Sequence, residues 1–201
     1  MSDKIINQYK LLFLGDTTVG KTCCCLRITE NVYTGSHLST IGTDSAKKNI
    51  EVIDKETNKK VPIQMMLTDT AGQERFRAMA KSFYRQADGI FLMYDITSKE
   101  TFLNIENWIK QIKDCASPDV IIYLVANKID MKDKIQVTTE EGEKCAESLK
   151  IKYKEISCKE NINVNEVFNE ISSELYEKNK NMDKGTKVNI TMNKGRRKCC
   201  G

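Results

Sequence analysis

Short apolar runs and amphipathic stretches alternate along this chain. Lys10 to Leu14 (KLLFL), Gly89 to Tyr94 (GIFLMY) and Val120 to Ala126 (VIIYLVA) are almost continuously apolar, the pattern of strands covered on both faces in a parallel sheet. Between them Phe102, Ile105, Ile109 and Ile112 recur at helical spacing, with Thr97 and Glu100 ahead of them in the spacing of a capping box. Thr138 and Glu141 repeat that signal before a helix running to about Lys150, and Val164, Val167, Phe168, Ile171 and Leu175 mark a last amphipathic helix. Two runs break the alternation. Lys47 to Ile53 and Val61 to Leu67 flank the polar stretch IDKETNKK, which predicts a hairpin and therefore one antiparallel strand. No internal repeat is present. The expected class is α/β, a mostly parallel sheet with helices on both faces.

Composition narrows this to one domain and a tail. At 201 residues the chain supports a single full core, placed at residues 1–177. Residues 178–201 are Lys- and Asn-rich and poor in apolar side chains, which predicts a flexible segment. Charge divides at the same place: Lys178 to Gly201 carries six Lys and two Arg against one Asp, or +7, and the rest carries −3 of the total +4. A mildly acidic body argues against nucleic-acid binding, whereas a basic tail suits an anionic membrane leaflet. Residues 1–10 lack the apolar stretch of a signal peptide and no run is long enough to span a bilayer, so a cytosolic chain with reduced thiols is expected. The eight cysteines comprise a run at Cys23 to Cys25, three single residues, and Cys199 with Cys200. None forms a CxxC pair, which disfavours a zinc site and favours buried structural thiols for the first six. A redox role for the Cys23 run requires an exposed, thiolate-favouring site.

Chemistry concentrates where the strands end. Gly15-Asp16-Thr17-Thr18-Val19-Gly20-Lys21-Thr22 matches GxxxxGK[ST] between a strand and a helix. In that motif backbone N–H groups from Gly15 to Cys23 curl around phosphate oxygens, Lys21 reaches the β- and γ-phosphates, and the Thr22 hydroxyl ligates Mg²⁺. Asn127-Lys128-Ile129-Asp130 follows the third apolar run. A carboxylate there accepts from guanine N1–H and its exocyclic amine, which adenine does not match. Asp69-Thr70-Ala71-Gly72-Gln73-Glu74 also follows a strand: Asp69 can hold Mg²⁺ through water, Gly72 can approach the γ-phosphate with its N–H, and Gln73 can orient the attacking water.

With these three motifs in order, the chain resembles the small Ras-like GTPases, and among them the Rab proteins, over roughly Tyr9 to Tyr176. LSTIGTD looks like the Rab switch-one segment, with Thr40 in the position of the threonine that meets Mg²⁺ and the γ-phosphate, and Tyr33 matches the aromatic beside the guanine ring. QERFRAMAKSFYRQAD resembles the switch-two helix. Ser157-Cys158-Lys159 falls where the family has a Ser-Ala-Lys loop behind the base. The resemblance implies a P-loop NTPase fold: six strands, one antiparallel, and five flanking helices. It also implies GTP/GDP and Mg²⁺ as ligands, a monomer, an exchange factor, an activating protein, a dissociation inhibitor and effectors. Cys199 and Cys200 in the terminal CCG resemble the Rab double-cysteine ending, which implies geranylgeranyl groups added by a prenyltransferase with an escort protein. Two lipid chains and a basic stretch suffice for stable anchoring, on the cytoplasmic face of an intracellular membrane with a cytosolic pool.

The departures from the pattern bear on function. Of the three aromatic positions that Rabs use to recognise effectors, two are here Ser45 and Thr68 and only Phe83 keeps an aromatic, so that surface is smaller and more polar. Thr17 and Thr18 stand where many relatives have a small residue and Gly; a β-branched side chain beside the γ-phosphate implies slow intrinsic hydrolysis that an activating protein's arginine can still accelerate. Two readings remain open on sequence alone: a GTP-hydrolysing switch of vesicle traffic, or a membrane-anchored guanine-nucleotide scaffold with negligible turnover.

Overall fold

The apolar runs form the centre of a six-stranded sheet. The structure, a computed structural model, describes residues 7–33, 43–70 and 77–194. Its strands are β1 Asn7–Leu14, β2 Thr43–Ile53, β3 Lys60–Thr70, β4 Gly89–Asp95, β5 Ile121–Asn127 and β6 Lys152–Glu155. They lie in the order β2-β3-β1-β4-β5-β6. Only β2 is antiparallel, pairing with β3 from Thr43 opposite Thr70 to Ile53 opposite Lys60. The hairpin at residues 54–59 is the one the polar stretch predicts.

Side chains alternate faces along each strand, and both faces are covered. Phe13, Phe91, Tyr123 and Val125 point with Phe168 and Ile171 into one core layer; Leu12, Leu14, Leu92 and Tyr94 join Ile109, Ile112 and Ala146 in the other. This explains why β4 is buried at every position and reads as an unbroken apolar run. Phe13 and Phe91 meet edge to face at 5.6 Å, a contact worth about 1 kcal/mol beyond its buried area.

Among the described residues the helices are α1 Lys21–Glu30, α2 Arg77–Gln86, α3 in two segments (Lys99–Leu103 and Ile105–Cys115), α4 Thr139–Leu149 and α5 Val164–Lys194. The capping box before α4 is present in full, with Thr138 accepting from the Glu141 N–H and Glu141 accepting from the Thr138 N–H. The one predicted at Thr97 does not form. Thr97 turns back to Asp95, donating to Oδ1 from its N–H at 2.8 Å and its hydroxyl at 2.6 Å, so Ser98 becomes the N-cap without a side-chain bond. Strand β6 (KYKE) is short and half-exposed at the sheet edge, which leaves it without an apolar signal in the sequence.

Helix α5 extends beyond residue 177, where the sequence predicts a flexible segment. No proline follows Val164, and the Lys and Met residues beyond 177 sustain helical backbone, so composition that cannot build a core still continues a helix already nucleated on one. Its connection to the body is the β2–β3 turn. Asp54 accepts the Tyr176 hydroxyl at 2.7 Å, the Lys180 ammonium at 2.6 Å and the N–H groups of Glu56 and Thr57, while the Lys55 N–H donates to Glu177 at 2.7 Å. Lys180, the Thr57 N–H and Tyr176, in that order, hold the Asp54 carboxyl well below the usual carboxylate range. Because its folded pKa is depressed, the stability it contributes is complete above about pH 4 and is lost as pH falls through the folded value. Asp54→Asn therefore shows a shallower fall in melting temperature between about pH 4 and 2 than the parent chain; a parallel fall in the two proteins contradicts this assignment.

Candidate functional site

Every motif singled out in the described residues comes to the carboxyl ends of the parallel strands, where open α/β sheets hold ligands. The loop after β1 leads into α1, Asp69 lies at the end of β3, Asn127 ends β5, and residues 157–159 follow β6. The two loop glycines are required by close approaches. A Cβ on Gly15 (φ +135°) would stand 2.2 Å from the Met93 carbonyl oxygen, and one on Gly20 (φ +103°) 2.2 Å from the Asn127 side-chain nitrogen.

Lys21 is 5% exposed and donates to the carbonyls of Gly15 at 2.9 Å and Asp16 at 2.6 Å. Burial pushes its ammonium down to about 8, against the opposing pull of Asp69 and Asp16; an anion at this place further favours the charged form. The Thr22 hydroxyl donates to Asp69 Oδ2 at 2.6 Å. The Thr22 hydroxyl and the Asp69 carboxylate are hard oxygen ligands of the kind Mg²⁺ takes, and the buried Lys21 ammonium beside them suits a phosphate chain, so the residues fit both groups.

At the end of β5, Asn127 is 2% exposed and joins two loops. Its Nδ2 donates to the Val19 carbonyl at 2.8 Å, and its Oδ1 accepts the Cys158 N–H at 3.2 Å. Ser157 donates to Asp130 Oδ1 at 2.6 Å, and Lys159 lies 4.0 Å from Oδ2. These partners orient the Asp130 carboxylate. Lys128, at φ +71°, pairs with Asp95 at 2.6 Å, which fixes its stem. Arg27, which the sequence does not single out, donates to the Cys158 and Lys159 carbonyls, each at 3.0 Å, and stacks over Tyr33 at 5.8 Å. It binds the end of α1 to the loop after β6. Asp16, Asn104, Trp108 and Asp95 are likewise unmarked by motif, and only their proximity reveals them.

The cysteines resolve as packing. Cys24 and Cys25 are buried in the layer under α1, with Cys23 packed partly against it. A hydrogen bond with Cys158 and burial raise the Cys24 thiol well above its ordinary value, and burial raises Cys23. Both effects oppose the thiolate that a redox sensor needs.

The positions assigned from sequence to Thr40, Gly72 and Gln73, and to Cys199 and Cys200, lie outside the described residues. Ser45 and Thr68 are direct cross-strand partners, so the two positions where an effector-face aromatic is replaced are adjacent on the β2–β3 ribbon.

Thr17 and Thr18 are both exposed, and the strain falls on the second: Thr18 holds φ +65°. For a β-branched residue that region costs about 1–3 kcal/mol, against roughly 0.5–1 kcal/mol for the extra freedom glycine loses on folding. Thr18→Gly is accordingly stabilised by about 1 kcal/mol in urea unfolding; a loss of stability contradicts the strain.

A model of the Ras family matches residues 10–177. Ras-related protein Rab-8A of Gallus gallus is 44% identical over 176 residues, covering 88% of this chain and 81% of that protein. Ras-related protein Rab-8B, of Bos taurus and of Homo sapiens, is 41% identical over 196 residues, covering 94% of this chain and 92% of each relative. Among the described residues no helix is long and apolar enough to cross a membrane. With the family match taking in all or part of every strand and the loops at the carboxyl edge, the chain belongs to the Ras family, in its Rab branch, and is a GTP-binding, GTP-hydrolysing switch that regulates vesicle traffic.

Proposed function

We propose that the nucleotide lies along the carboxyl edge of the sheet, with its phosphates in the loop Gly15 to Cys23 and guanine between Lys128 and the segment Ser157 to Lys159. The observation that carries this reading is the Asn127 amide, which bonds the phosphate loop at Val19 and the base loop at Cys158 together. Backbone N–H groups of Thr17, Thr18, Val19 and Gly20 hold phosphate oxygens, and Lys21 neutralises the β- and γ-phosphates. Asp130 accepts from guanine N1–H and the exocyclic amine, and Tyr33 covers the ring edge. Thr22 and Asp69, with Thr40, are the residues that hold Mg²⁺, which when bound neutralises charge on the phosphates.

Gln73 orients a water in line with the γ-phosphorus. The water's oxygen forms the new P–O bond while the bond to the β–γ bridging oxygen breaks, leaving GDP and phosphate. Thr40 and Gly72 contact the γ-phosphate, so the two segments are ordered in the GTP form and released by hydrolysis. Effectors read that order from a face where Ser45 and Thr68 replace aromatics, which favours partners less dependent on an apolar pocket than those of typical Rabs.

The basic segment 178–201, whose first residues continue α5, tethers the 1–177 domain to the cytoplasmic face of an intracellular membrane through prenyl groups on Cys199 and Cys200. Prenyltransferase with its escort protein installs the lipids, and a dissociation inhibitor maintains the cytosolic pool. An exchange factor and an activating protein set the cycle.

Guanine recognition through one carboxylate is directly testable. Replacing it by an amide puts a donor opposite the guanine donors and suits a base with a carbonyl there. Asp130→Asn loses affinity for GDP by about two orders of magnitude, equivalent to about 2.7 kcal/mol, and prefers xanthosine diphosphate in competition binding. Unchanged preference for GDP removes Asp130 from the base site.

A further inference from the structure

Asp16 is the second residue of the phosphate loop, and the GxxxxGK[ST] pattern leaves its identity open. Its side chain is nevertheless fully engaged. The indole N–H of Trp108 donates to Oδ1 at 2.8 Å and the Asn104 amide donates to Oδ2 at 2.7 Å. Both donors sit on α3: Asn104 at the break between its two segments, and Trp108 one turn later, with Trp108 only 8% exposed. On the main chain of the same residue, the carbonyl accepts from Lys21 at 2.6 Å. One residue thus takes two donors from a helix and one from the lysine of the phosphate site.

We propose that Asp16, Asn104 and Trp108 form a clasp that fixes the phosphate loop to α3 and, through the Asp16 carbonyl, sets the position from which Lys21 meets the β-phosphate. Asp16 is then a positioning residue. The interruption of α3 serves this arrangement, because Asn104 is placed at the turn between segments, where its amide is directed to the loop. Both bonds are charge-assisted, and Trp108 is held in its layer by Tyr84 of α2 and Ile105, Ile109 and Ile112 of α3. The clasp therefore has a rigid base. Through Tyr84, α2 shares the layer in which Trp108 is packed. The chain holds a single tryptophan, which makes its emission a direct report on this one bond.

The inference rests on the reading that Lys21 contacts the β-phosphate, and the test separates the two. Affinities for GDP and GMP are measured for the parent protein and for Trp108→Phe, Asn104→Ala, Asp16→Asn and Lys21→Ala. Because GMP has no β-phosphate, a displaced Lys21 lowers GDP affinity and leaves GMP affinity alone, whereas general loosening of the fold lowers both.

Trp108→Phe keeps the ring and removes only the N–H. It reduces the GDP-to-GMP affinity ratio about tenfold, equivalent to about 1.4 kcal/mol, the loss of one hydrogen bond to a charged group. Asn104→Ala does the same, and Asp16→Asn reduces the ratio further. In Asp16→Asn the Trp108 emission no longer changes between the GDP-bound and nucleotide-free forms. If Asp16→Asn does not fold, the Trp108→Phe and Asn104→Ala ratios decide. Ratios within twofold of the parent in both, with Lys21→Ala collapsing it, overturn the clasp while leaving the role of Lys21 intact. An unchanged ratio in Lys21→Ala overturns the reading on which the clasp rests.

Discussion

The amide of Asn127 holds in register two loops at the carboxyl edge of the sheet, the one after β1 and the one after β6. Its donor side satisfies a carbonyl of the phosphate loop and its acceptor side satisfies an N–H of the base loop, at 2.8 and 3.2 Å, in a place only 2% exposed. In that setting each lost bond leaves a buried polar group without compensation. The same side chain explains Gly20, since any Cβ there would collide with it. The second glycine of GxxxxGK[ST] and the asparagine of NKxD are therefore two sides of one contact, although they stand 107 positions apart in the chain.

The sheet makes that contact possible. Strands β1, β3, β4, β5 and β6 run parallel, so their carboxyl ends deliver the phosphate loop, Asp69, Asn127 and the 157–159 loop to one edge. Strands covered on both faces must be apolar throughout, and KLLFL, GIFLMY and VIIYLVA announce them directly. The hairpin, the α4 capping box and the α/β class are equally legible. Strand β6 is not, because an edge strand with polar residues has no hydrophobic period to read. The Thr97 capping box misleads for a different reason: Asp95, which also pairs with Lys128, competes for the Thr97 hydroxyl and N–H, a tertiary interaction that no local pattern carries.

The site itself was legible where chemistry imposes a residue type at a fixed spacing. Lys21, Thr22, Asp69, Asn127, Lys128 and Asp130 stand out that way, and the fold brings them to one edge of the sheet. The residues that hold them do not stand out, because Arg27, Asp95, Asn104 and Trp108 act by arriving from other elements. Sequence also placed steric weight on Thr17, whereas the backbone puts the strain on Thr18, a distinction that depends on a dihedral angle. At the other end of the molecule, the Asp54 cluster holds the start of the basic segment against the β2–β3 turn. Composition gives the charge of that segment but not the helix it continues.

Amide hydrogen exchange on the GDP-bound protein, with Asn127→Ala compared against the parent chain, tests most directly whether one side chain couples the two halves of the site. The account predicts faster exchange both at Cys158, whose N–H loses its acceptor, and at residues 19–22 of the phosphate loop, whose Val19 carbonyl loses its donor. Faster exchange confined to residues 157–159, with the phosphate loop as protected as in the parent, would contradict it.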